Sequence, residues 1–135
     1  MIPLLIVTHG RFGEELLKTA EGIAGKQEKV EAITLLSSES KEALKEKILD
    51  SLQRLESKNG LLIFTDMVGG TPCNISLPIA KEEPIEVITG INLNMLTSAF
   101  AHRGHLNRFE LAQKVSEDGR RAIVNAKEVF LKKCP

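Results

Sequence analysis

The sequence predicts an α/β fold of three layers. Helices cover both faces of a mostly parallel, doubly wound sheet of strand order 2-1-3-4, and a long C-terminal helix follows. Three observations predict it. Four short apolar runs alternate with longer amphipathic stretches. The runs are apolar at consecutive positions, as suits strands covered on both faces. Turn and cap residues fall where one pattern gives way to the next. Such alternation implies parallel strands joined by right-handed crossovers.

The first run is Pro3–Thr8. Leu16, Leu17, Ala20, Ile23 and Ala24 then recur at helical spacing, and Gly25 stands at the C-terminal cap position. Val30–Leu36 is the second run. Ala43, Leu44, Ile48, Leu52 and Leu55 form the next helical stripe, which Asn59-Gly60 ends. Leu61–Thr65 is the third run. Thr71-Pro72 reads as an N-cap followed by proline in the first turn, and Pro78 predicts that this helix is short or bent. Ile85–Thr89 is the fourth run. Asn92 caps a helix through Met95, Leu96, Ala99 and Phe100. Phe109–Leu131 is the long helical tail, with Gly119 as the expected kink.

The chain has 135 residues, which predicts one domain over residues 1–135. It is 42% hydrophobic and 27% charged, the mix of a folded rather than a disordered chain. Eighteen Lys and Arg offset 18 Asp and Glu, and this balance argues against a nucleic-acid binder or a polybasic membrane anchor. The apolar start carries no basic segment before it, so it does not read as a signal peptide. No run approaches the roughly 20 residues of a membrane span. Cys73 and Cys134 form no metal-ligand spacing, and a reducing cytoplasmic compartment is the expectation.

In a 2-1-3-4 sheet, strands 1 and 3 are neighbours at the topological switch point, where sites lie beyond the carboxyl ends of the strands. Strand 1 ends in Thr8-His9-Gly10 and strand 3 in Thr65-Asp66. The topology therefore brings His9 and Asp66 together. A carboxylate that accepts the Nδ1–H of an imidazole fixes its tautomer and leaves the Nε2 lone pair free, which makes a nucleophile or general base. Acid should slow such a site, because a protonated imidazole is no nucleophile. Gly69-Gly70-Thr71-Pro72 leads into a helix whose free N–H groups, with the Thr71 hydroxyl, suit an anion. Gly10 and the start of the first helix are further expected donors. A nucleophilic histidine beside an anion cradle points to phosphohistidine chemistry. A helix terminus contributes only about 0.3–1 kcal/mol per charge, a modest hold that suits a carrier.

These residues resemble the IIA component of the mannose-family sugar phosphotransferase system (PTS). The match runs over nearly the whole chain. Its strongest parts are Thr8-His9-Gly10, Asp66-x-x-Gly69-Gly70-Thr71-Pro72-x-Asn74, and Val87 to Leu96. The resemblance implies that His9 takes a phosphoryl group from the phosphocarrier protein HPr and passes it to a histidine of a IIB protein. It implies that Asp66 orients the imidazole and that the phosphoryl group sits on Nε2. A cytoplasmic homodimer with no metal or organic cofactor is also implied. Longer family members fuse a IIB domain, so this chain is expected to act on a separate partner, in transport or in regulation.

Two further readings compete. The phosphotransfer subunit of dihydroxyacetone kinase shares the fold and an N-terminal histidine, and Asp66-Met67 fits it, but Val68-Gly69-Gly70-Thr71-Pro72 fits the mannose family better. A non-catalytic regulatory binding module is the other. A histidine phosphatase would need arginine where Thr8 stands. Arg11 and Phe12 are expected to rim the site and contact the partner, Phe12 as an exposed anchor or else folded into the core. Asn92 is placed with them. Cys73 is expected to pack against the sheet. His102 and His105, which lack further ligands nearby, are expected in a solvated loop.

Overall fold

A computed structural model describes residues 1–133; Cys134 lies outside them. Four strands, β1 (Leu4–His9), β2 (Val30–Leu35), β3 (Leu61–Thr65) and β4 (Ile85–Ile88), form one parallel sheet of order β2-β1-β3-β4. The helices between and after them are α1 (Phe12–Ala24), α2 (Lys41–Leu55), α3 (Thr71–Lys81), α4 (Leu93–His102), α5 (Arg108–Arg121) and α6 (Ala126–Lys133). The three-layer architecture and strand order are those the sequence predicts.

Consecutive apolar residues divide between the two faces because side chains alternate along a strand. Leu4 and Ile6 of β1, with Leu62 and Phe64 of β3, join Ala20, Leu96, Ala99, Leu111 and Val115 in one core under α1, α4 and α5. Leu5, Val7, Leu61 and Ile63 join Leu44, Ile48, Leu52 and Leu55 in the other, under α2 and α3. Each fully buried Leu, Ile or Phe contributes about 1.5–3 kcal/mol, so the two central strands anchor both layers. His9 ends β1 in register with Leu35, and Asp66 follows β3 directly. Both stand where apolar packing stops.

The helices depart from expectation at three places. The C-terminal helix is present in two pieces. Ile123 and Val124, poor helix formers, interrupt it, and Asn125 restarts it by accepting the Glu128 N–H (3.3 Å). Gly119 is not the break. It is buried inside α5, where a Cβ would stand 2.5 Å from Met95 Cγ, so it serves the close approach of α4 and α5. The N-cap of α3 is Gly70 rather than Thr71: its extended backbone (φ −80°, ψ 163°) precedes the helix, and its carbonyl accepts the Asn74 N–H (2.9 Å). Pro72 then stands in the first turn, where a missing N–H costs nothing, and α3 continues through the exposed Pro78 to Lys81.

The segment from His102 to His105 is not wholly solvated either. His102 closes α4 and Arg103 is buried. The Arg103 guanidinium donates to the carbonyls of Lys29 (3.3 Å), Ile2 (3.5 Å) and Glu28, and to Gln27 Oε1 (3.3 Å). It ties α4 to the loop before β2. Among the described residues no helix is long and apolar enough to cross a membrane.

Candidate functional site

Adjacent β1 and β3 place His9 and Asp66 side by side. Oδ2 of Asp66 accepts the His9 backbone N–H (2.9 Å) and lies 2.7 Å from His9 Nδ1. Oδ1 accepts the Met67 N–H (2.9 Å). The carboxylate thus has three protein donors. Burial alone would raise the Asp66 pKa, but the His9 N–H, the hydrogen-bonded ring and its charge together outweigh that and hold it below the usual carboxylate value. An ionised acceptor puts the proton on Nδ1 and leaves the Nε2 lone pair free. The histidine side chain is 48% exposed and that of Asp66 only 14%. The base is open to a reactant while its orienting acid is covered.

The β3–α3 turn closes over the imidazole. A Cβ on Gly70 would stand 2.8 Å from His9 Cε1 and 3.5 Å from Nε2, so the missing side chain admits the helix start to the ring. The Gly70 φ of −80° suits any residue, which makes its need for glycine purely steric. Gly69 has φ +82°, where glycine is favoured. Its carbonyl accepts from Asn74 Nδ2 (3.1 Å), which pins the turn to α3. Thr71 is the first residue of α3 and half-buried. Among the described residues the N–H groups of Gly70 and Thr71 have no protein partner. A helix start with free donors beside a histidine suits an anion there.

Gly10 does not supply an expected donor. Its N–H is taken by the Leu35 carbonyl (2.9 Å), and its contribution is a φ of +53° that turns the chain out of β1. The start of α1 is held by Thr8, whose buried hydroxyl accepts the Gly13 N–H (2.8 Å). Gly13 is required there, because a Cβ would stand 2.7 Å from Ile6 Cγ2. The sequence reading missed this latch. A threonine two residues before a Gly-x-x-Gly turn was its visible signal.

Arg11 and Phe12 are exposed at the mouth of the β1–α1 turn, so Phe12 does not fold back into the core. Arg11 Nε donates to Glu14 Oε2 (3.3 Å), while Glu14 Oε1 accepts the Thr34 hydroxyl (2.6 Å). Asn92 is elsewhere in kind: Oδ1 accepts the Met95 N–H (3.0 Å) and Nδ2 donates to the Gly119 carbonyl (3.2 Å). It is a helix cap and an α4–α5 clamp, and no contact joins it to His9. Cys73 is buried in the first turn of α3, as expected. His102 and His105 approach each other (Nδ1 to Nε2 3.4 Å), and no group of three or more potential metal ligands exists among the described residues.

Comparison with known proteins then bears on this geometry. A family model described as the PTS system fructose IIA component, EIIA-man, matches residues 3–116. The mannose-specific EIIAB component of Escherichia coli K12 is 38% identical over 124 residues, covering 90% of this chain. The chain spans only 38% of that relative's length. The fructose-specific EIIA component of Bacillus subtilis is 29% identical over 107 residues, 78% of this chain and 73% of that one. Among solved structures, an EIIA component from Streptococcus agalactiae superposes with a TM-score of 0.88 at 31% identity, covering 95% of this chain and 99% of the other. A mannose/sorbose-specific IIA subunit from Enterococcus faecalis gives 0.83 at 27% identity, covering 93% and 95%.

Proposed function

The chain belongs to the EIIA-man family of PTS IIA components, and from that premise we propose that it is a phosphohistidine carrier: His9 accepts a phosphoryl group from phosphorylated HPr and passes it to a histidine of a IIB component, for sugar uptake or PTS-dependent regulation. The single observation that carries this reading is the 2.7 Å contact of Nδ1 with Asp66 Oδ2 beside the free helix start.

In the first step the Nε2 lone pair attacks phosphorus. A P–N bond forms as the donor's P–N bond breaks, and the donor imidazole leaves with its electron pair. The Nδ1 proton stays on His9, shared with Asp66. The ring then carries positive charge, and the adjacent carboxylate offsets it. The N–H groups of Gly70 and Thr71, with the Thr71 hydroxyl, receive the phosphoryl oxygens. Transfer to IIB reverses these events with a new acceptor nitrogen. Water takes no part, and no metal or organic cofactor is needed.

The IIA domain acts in the cytoplasm as a homodimer. Ile123 and Val124 between α5 and α6, with Phe130 and Leu131 on α6, support the dimer, since all four are exposed. The test of the carrier reading is incubation with phosphorylated HPr. Rapid labelling that is lost in His9→Ala is the expected result; no transfer to the wild-type protein overturns the reading.

A further inference from the structure

We propose that Asn74 is a positioning residue for phosphoryl transfer. By gripping the Gly69 carbonyl, it holds the Gly69–Gly70 peptide so that the Gly70 N–H faces the phosphoryl group on His9. The proposal rests on the carrier reading above and gives a role to a side chain that never touches the cargo.

A peptide between two glycines has little to fix its plane. Flipping it changes ψ of Gly69 and φ of Gly70, and neither residue has a Cβ to resist. Both glycines are required for other reasons. Gly69 has φ +82°, and a side chain on Gly70 would meet His9 Cε1 at 2.8 Å. The close approach to the imidazole thus leaves a peptide whose orientation the backbone itself does not set.

Asn74 sets it. This residue lies in the first turn of α3 and holds two successive carbonyls. Its Nδ2 donates to the Gly69 carbonyl (3.1 Å), and its backbone N–H donates to the Gly70 carbonyl (2.9 Å). Among the described residues every peptide bond is trans, so each N–H points opposite to the carbonyl of its own unit. Drawing both carbonyls onto α3 therefore turns the N–H groups of Gly70 and Thr71 the other way, off the helix end. Neither has a protein partner among the described residues, and Gly70 stands against the His9 ring. The two grips differ in kind. The backbone bond is the first bond of the helix, and any residue but proline at position 74 makes it. The side-chain bond reaches back five residues, outside the helical pattern, and needs a donor at position 74. Asparagine is a weak helix former and Asn74 is exposed, so neither propensity nor packing accounts for it there. The fold orients the Thr71 N–H; one side chain orients that of Gly70.

The test compares wild type with Asn74→Ala and Asn74→Leu. Both replacements are strong helix formers at an exposed position, so α3 is kept. One measurement is kcat and KM for labelling of His9 by phosphorylated HPr. The other is the ¹H–¹⁵N shift of the Gly70 and Thr71 amides before and after phosphorylation. In wild type both amides should move downfield, since each donates to a phosphoryl oxygen. In both variants Thr71 should keep its displacement while Gly70 loses most of its own. The kcat should fall about 10-fold with KM unchanged, the pattern of a donor lost from the transition state alone. A wild-type kcat with the Gly70 displacement retained overturns the role of Asn74. Equal loss at Gly70 and Thr71 also overturns it, because the side chain would then hold the helix start as a whole. A change confined to KM overturns it as well, since that would place Asn74 in docking. In all three cases labelling of wild type leaves the carrier reading standing. No labelling of wild type overturns the carrier reading, and the role of Asn74 with it.

Discussion

Asp66→Asn keeps the side chain's size and removes one acceptor. Three donors converge on the carboxylate: the His9 N–H at 2.9 Å and ring at 2.7 Å on Oδ2, and the Met67 N–H at 2.9 Å on Oδ1. Two of these are backbone amides and cannot become acceptors. With its NH2 toward His9, the asparagine would meet the His9 amide donor to donor and lose both Oδ2 bonds. With its oxygen toward His9 it loses only the Met67 bond, and Met67 is exposed, so water replaces part of it. The second orientation wins, at about 1 kcal/mol of stability. The Nδ1–H tautomer therefore survives. What disappears is the negative charge beside the ring. A charge-assisted hydrogen bond contributes about 1.5–3 kcal/mol and a neutral one about 0.5–1.5. The difference, about 1–1.5 kcal/mol, predicts phosphoryl acceptance slowed roughly 5- to 15-fold. Rapid-quench rates with phosphorylated HPr measure this, and ¹⁵N NMR of the imidazole reads the tautomer. An unchanged rate would refute the charge argument. Loss beyond roughly 1,000-fold with the proton moved to Nε2 would refute the orientation argument.

The same variant isolates a pH effect. Asp66 is held below its ordinary value, so its stabilisation is complete above about pH 4 and is lost as the pH falls through its lower native value. The stability difference between wild type and Asp66→Asn, followed by urea unfolding, should shrink in acid; a constant difference would contradict the coupling. Gly70→Ala places a carbon 2.8 Å from a ring already pinned to Asp66. Displacing that ring should slow acceptance about 10- to 100-fold, with thermal unfolding lowered by only a few degrees because the site is open. Gly13→Ala acts differently, since its Cβ would stand 2.7 Å from buried Ile6. It should cost about 1–3 kcal/mol in denaturant unfolding. Arg103→Lys removes the fork that serves three carbonyls, and should lower the unfolding midpoint while transfer from HPr keeps its wild-type rate.

The four strands and their order were legible because burial on both faces demands apolar residues at every strand position, from Leu4 to Val7 and from Leu61 to Phe64. Such a pattern has few alternatives once parallel crossovers are right-handed. The pairing of His9 with Asp66 followed, since it needs only the strand order. Helix ends were less legible. The α3 cap moved to Gly70 and the break fell beyond Gly119, whose contact with Met95 comes from a residue far along the chain and marks it as a packing position instead.

The sequence by itself determined the sheet, its switch point and the types of residue standing there, because hydrophobic periodicity and topology are properties of the chain order. Only the tertiary structure decided how those residues are spent. It committed the Gly10 amide to Leu35 and Asn92 to Met95 and Gly119, and it turned Phe12, Met67 and Val68 outward. The physical reason is that a hydrogen bond or a steric limit depends on distances between distant segments, and these exist only once both cores have closed.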